Sequence, residues 1–185
     1  EEGNIPTAYS TALLGGASFL LLHVYLAIRH TKDRFAGRWA LLSFVFLFLA
    51  GDEAAELHEQ QSRPVQPATG LLPGSFEYWG WTAPYLLLTA LLGVYMLPFL
   101  FDLSPRFRRL FVGAAALFMS GAIGFEVLEG VHGIGLVSQT SIEHARLVPA
   151  YVVMVTFEEL LEMGGVILFI YSLLEYLRTK SAGIL

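Results

Sequence analysis

The chain has 185 residues, 55% of them hydrophobic and only 15% charged, with a mean hydropathy of +0.60. Soluble domains carry about 25% charged residues, so this composition excludes an ordinary soluble fold and points to a multi-pass membrane protein. The formal net charge of −5 comes from acids lying inside apolar segments, and no basic surface suggests a nucleic-acid partner. Cysteine is absent, which rules out disulfides, thiolate metal sites and iron–sulfur clusters. Long apolar runs joined by short polar loops leave no room for a second folded domain. The expectation is one all-α, membrane-embedded helix bundle over residues 1–185.

Five transmembrane helices are predicted, over about 8–28, 38–58, 81–101, 109–131 and 147–177. The opening Glu1-Glu2-Gly3-Asn4 lacks the basic n-region of a signal peptide and an initiator Met, so the numbering is expected to start after processing or trimming. The first span, Ala8 to Ile28, ends at Arg29, His30, Lys32 and Arg34. The second begins after Arg38, but its apolar run stops at Gly51. Crossing a bilayer takes about 20 apolar residues, so this helix must continue through the acidic stretch Asp52 to His58. The third runs from Trp81 to Phe101 and is ended by Asp102, Ser104 and Pro105. The fourth leaves Arg109, and its apolar run stops at Phe125, so it too must continue through Glu126 to His132. The fifth has apolar stretches on both sides of Glu158–Glu162, neither long enough to span alone. A competing reading ends the second helix at Gly51 in a wet vestibule, leaving Asp52 and Glu53 solvated.

Basic residues favour cytoplasmic loops. Arg29, Lys32, Arg34 and Arg38 share one loop, Arg106, Arg108 and Arg109 another, and Arg178 and Lys180 the tail. The opposite side carries Arg63 and Arg146. An N-terminus outside and a C-terminus in the cytoplasm satisfies all of these loops, and the plasma membrane is the expected location. Tyr78, Trp79, Trp81 and Tyr85 form an aromatic cluster suited to the outer interface. The Pro- and Gly-containing loop from about Gln60 to Gly80 is long enough to cap that face.

Eight carboxylates fall inside these spans: Asp52, Glu53 and Glu56; Glu126 and Glu129; Glu158, Glu159 and Glu162. Each costs roughly 2.5–3.5 kcal/mol in hydrocarbon even on lenient scales. Their charge must be met by bound cations or by protons. At about 1.5 Å per residue, Asp52 and Glu56 lie about 21 and 27 Å above Arg38, and Glu126 and Glu129 about 25 and 30 Å above Arg109. Glu162 and Glu159 lie about 24 and 28 Å above Arg178. Three helices thus bring their acids to one level, in the outer third of the membrane, and the second, fourth and fifth are expected to adjoin, with the first and third covering them.

Carboxylates with one or two imidazoles, projected inward from several helices, are how bundles hold paired metals. The Glu129-Gly130-Val131-His132 stretch resembles the Glu-x-x-His element of ferritin-like di-iron proteins. That family uses two such elements, whereas here His58 lies five residues after Glu53. The expected ligands are Glu53, Glu56, Glu129, His132, Glu159 and Glu162. Asp52, His58, Glu126 and Glu158 are expected to support them or to ligate in their place. Tyr9, Ser10, Thr11, Thr82 and Tyr85 lie at the right depth to bond those ligands. His144 is expected to be exposed, and His23 and His30 have no partner histidine at a matching depth, which argues against haem. Gly15–Gly16, Gly121–Gly124 and Gly164–Gly165 read as small-residue helix contacts.

Oxygen-rich ligation favours two divalent ions, iron or manganese ahead of zinc. The leading expectation is a metal-dependent membrane enzyme, redox or hydrolytic, acting on a lipid-soluble substrate such as a quinol, acyl chain or lipid. One alternative is a cation or proton transporter, although the inner halves of the helices lack acids to complete a relay. Another is a non-catalytic subunit, within a homo-oligomer or a larger membrane complex, whose acids serve assembly.

Overall fold

The computed structural model describes residues 5–31, 33–55, 82–125 and 149–181. They form five helices and no strand: α1 (Ile5–Ile28), α2 (Ala36–Ala55), α3 (Thr82–Asp102), α4 (Pro105–Met119, running on as a π turn over Ser120–Phe125) and α5 (Pro149–Ser181). Three stretches are long and apolar enough to cross a membrane: Pro6–Ile28, Tyr85–Asp102 and Pro105–Gly124. The five-span expectation is therefore met in composition by α1, α3 and α4. The other two helices differ because they carry charge, Arg38, Asp52 and Glu53 in α2 and Glu158, Glu159 and Glu162 in α5.

Both remain unbroken through their acids. α2 passes Gly51 and continues to Ala55, so it does not end at the glycine, and Asp52 is buried at 6% exposure. α5 is a single helix of 33 residues with Glu158–Glu162 in its interior. At about 1.5 Å per residue it is about 50 Å long, more than enough to span about 30 Å of hydrocarbon.

The helices alternate in direction, as the contacts at their ends require. At the basic end, Arg34 bonds Asp102 at 2.6 Å and Arg106 bonds Glu175 at 2.8 Å. These pairs join the start of α2 to the end of α3, and the start of α4 to the end of α5. Beneath them sits an aromatic plug. Trp39, 1% exposed, packs edge-on to Phe99 (4.8 Å between centroids) and Phe111 (6.0 Å) and lies 5.0 Å from Tyr176. Phe46 stacks on Phe169 one layer further in, at 4.9 Å.

α1 is central rather than a cover, which corrects the sequence expectation. It packs along α2 and also against α5, and Leu14, Ala17, Ser18, Leu21, Val24 and Ile28 make one buried face at helical spacing. Halfway along, Ser18 donates to the Ser43 carbonyl at 2.7 Å and Ser43 donates to the Ser18 carbonyl at 2.9 Å. This reciprocal pair satisfies two hydroxyls that burial between the helices would otherwise strand. α3 is peripheral. Met96 and Phe99 anchor it, while Leu87, Leu88, Leu91 and Val94 are more than half exposed.

Candidate carboxylate site

The acidic end of the bundle is built differently. Consecutive residues on a helix point about 100° apart, and Asp52 and Glu53 accordingly part company. Asp52 turns to α3, where the Tyr85 hydroxyl hydrogen-bonds it. Glu53 turns to α1, where Ser10 donates to its Oε1. Ser10 also lies 3.2 Å from the Thr7 carbonyl. A hydroxyl has one proton and two acceptor lone pairs, so Ser10 serves either Glu53 or that carbonyl at a given moment.

Glu53 shares a cleft with α5. Pro6, Thr7 and Ser10 from α1, Glu53 from α2, and Glu159, Glu162 and Met163 from α5 line a space of about 20 Å³. That is the room of one or two water-sized species, enough for an ion and far too little for an acyl chain. Glu53, Glu159 and Glu162 are each half-buried, and the basic residues of the described helices lie at the opposite end, from Arg29 to Arg38, Arg106 to Arg109, and Arg178 to Lys180.

Of the ligands expected from sequence, the structure thus brings Glu53, Glu159 and Glu162 to one cleft. Asp52 lies beside Tyr85 instead, and Glu158 is half-buried on α5 without lining the cleft. Glu56, His58, Glu126, Glu129, His132 and His144 lie outside the described residues, as do the aromatic cluster Tyr78–Trp81 and the proposed cap. Among the described residues no three His, Asp or Glu side chains converge closely enough to hold a metal ion. His23 is exposed on α1, and His30 accepts a hydrogen bond from Arg29 at 3.0 Å.

Ser10 and Tyr85 were legible as candidates by depth. Thr7 and Met163 were not, because a threonine and a methionine at membrane depth are unremarkable in sequence. The π turn was also missed, although three weak helix formers, Ser120, Gly121 and Gly124, fall within five residues. It packs against α5 beside the acids, and such turns recur at functional sites.

Residues 1–177 match the model of one family, described as a domain of unknown function, DUF8692. The chain belongs to the DUF8692 family. Neither curated proteins nor solved structures yield a match. That description names no activity, so a function for this DUF8692 chain has to be argued from its cleft.

Proposed function

We propose that this is a multi-pass membrane protein whose carboxylate cleft binds divalent cations, iron or manganese in preference to zinc, and that the bound metal performs redox or hydrolytic chemistry on a lipid-soluble substrate. The observation that carries this reading is that Glu53, Glu159 and Glu162, from two helices, line one ion-sized space with Ser10 of a third. These three alone do not converge closely enough to hold an ion, so the ligand set needs Glu56, Glu129 or His132 as well. Three carboxylates so placed, with the cationic side chains of the described helices at the far end, call for a counter-charge in the cleft itself. Oxygen donors with few imidazoles suit hard or borderline cations. A second metal would draw on Glu56, Glu129 and His132, and the hydrogen bond from Ser10 holds the Glu53 carboxylate in place.

The same reading assigns the topology. With five spans, the basic residues at the ends of α1, α3 and α5 and the starts of α2 and α4 face the cytoplasm. The cleft then opens toward the other side, in the outer third of the bilayer. A transporter is disfavoured by the plug of Trp39, Phe99, Phe111 and Tyr176, which contains no carboxylate to pass an ion toward the cytoplasm.

Elemental analysis of the purified protein, with optical spectra under oxidising and reducing conditions, tests the proposal. Iron or manganese should co-purify and, for iron, the spectrum should respond to reductant. A metal-free protein that catalyses pH-dependent ion flux in liposomes would replace this reading with transport.

A further inference from the structure

The five glycines of α4 and α5, Gly113, Gly121, Gly124, Gly164 and Gly165, are not equivalent. A Cβ on Gly124 would meet nothing within 4 Å, and one on Gly164 would only touch the Leu117 side chain at 3.4 Å. A Cβ on Gly165 would fall 2.6 Å from the Phe118 nitrogen and 2.9 Å from its Cα, a collision whose nearest atoms all belong to Phe118. Gly121 is the exception. A Cβ there would lie 2.7 Å from Cγ of Glu162, 2.8 Å from the Glu158 carbonyl oxygen and 3.1 Å from the Glu162 nitrogen. The space a side chain at 121 would need is therefore already taken by the stem of Glu162, whose residue lines the cleft.

We infer that Gly121 is a positioning residue for Glu162: the bare backbone of the π turn is the floor across which the glutamate stem runs to bring its carboxylate into the cleft. The inference rests on the metal-site reading for its functional meaning, but its geometry does not. Any side chain at 121 collides with Cγ of Glu162 and, at 2.8 Å, with the backbone oxygen of Glu158, so the glutamate stem must turn aside and α5 must move off the π turn. Sub-ångström fit of this kind matters because a ligand held by a supporting neighbour loses about 10- to 100-fold in metal affinity when that neighbour is changed. The π turn fits the same role. Its wider backbone presents Gly121 to the Glu158–Glu162 turn, and Gly121 is buried there.

The test uses the full chain in lipid nanodiscs, with Mn²⁺ as the probe. An apolar carbodiimide provides a second, metal-free readout, the labelling of Glu162 relative to Glu159, mapped by mass spectrometry. Gly121→Ala should lower Mn²⁺ affinity about 10- to 100-fold and shift the labelling ratio measured without metal. Gly124→Ala should change neither readout. Gly165→Ala should lower thermal stability while leaving both readouts of the folded protein as in the wild type. Unchanged affinity and ratio in Gly121→Ala, or equal changes in Gly165→Ala, would overturn the inference. If the wild type binds no Mn²⁺, the metal reading falls, and the labelling ratio alone decides: a shift supports the positioning role, and a ratio that stays put, even at zero, removes it. Should Gly121→Ala fail to fold, Gly121→Ala combined with Glu162→Ala relieves the clash with the stem. Recovery of folding in the double variant supports the inference, and continued failure overturns it.

Discussion

The two ends of this bundle solve opposite problems. At the basic end, rings from α3, α4 and α5 close around Trp39 of α2, and cations lie on top of them. Arg34 and Arg38 stand 4.5 and 4.6 Å over Phe35, Arg38 also lies 4.7 Å from Tyr95, and Lys180 is 5.9 Å from Tyr176. Arg34 and Lys180 are exposed there, whereas Arg38, with Nη1 buried, is held between the Phe35 and Tyr95 rings. At the acidic end the order is reversed: charge lies inside, among Glu53, Glu159 and Glu162, and close packing gives way to a cleft. A layer that held only structural duties would resemble the first end. The second places three carboxylates around a cleft, and that is where the proposed function is assigned.

The largest break in this comparison should come from Trp39→Ala. Removing a ring that is 1% exposed and touches three other aromatics should cost about 3–5 kcal/mol. Thermal unfolding in detergent should show it, with the Mn²⁺ affinity of the surviving folded protein unchanged. Loss of affinity in step with stability would mean that the two ends are not separable. Tyr85→Phe should be milder, because it deletes one hydroxyl and keeps the ring. Taking away the hydrogen bond to buried Asp52 should cost about 1.5–3 kcal/mol if that carboxylate is charged, and a stability change near zero would show that Asp52 draws its support elsewhere. Arg34→Ala should be the smallest. The Arg34–Asp102 pair is short, but its side chains are 73% and 51% exposed, and such pairs contribute about 0–1 kcal/mol. A larger loss would give the basic end an electrostatic share that its aromatic packing does not require.

The sequence made the acidic layer easier to read than the packing. Counting rise from the basic boundaries placed the α2 and α5 acids at one depth, and Glu53, Glu159 and Glu162 do line one cleft. Charge in an apolar run has few explanations, so its signal is strong. The central place of α1 was harder to see. Its residues are apolar on every side, and when lipid and core are both apolar the hydrophobic pattern no longer says which face is buried. The better cue was the small stretch Gly15–Ser18, since Ala17 and Ser18 are both buried, at 0% and 6% exposure. The turning apart of Asp52 and Glu53 was also hidden, because adjacency in sequence suggests a shared site and helical geometry denies it.

Whether cations or protons balance the cleft is the central question, and Glu162→Gln measures it most directly. Glutamine has the shape of a protonated glutamic acid without the charge that a cation needs. If metal holds the site together, Glu162→Gln should lose bound metal, measured by elemental analysis, and thermal stability together, because ion binding is linked to folding. The account predicts both losses. A Glu162→Gln protein as stable as the wild type, or more stable, with an unchanged metal content would contradict it and remove Glu162 from the ligands.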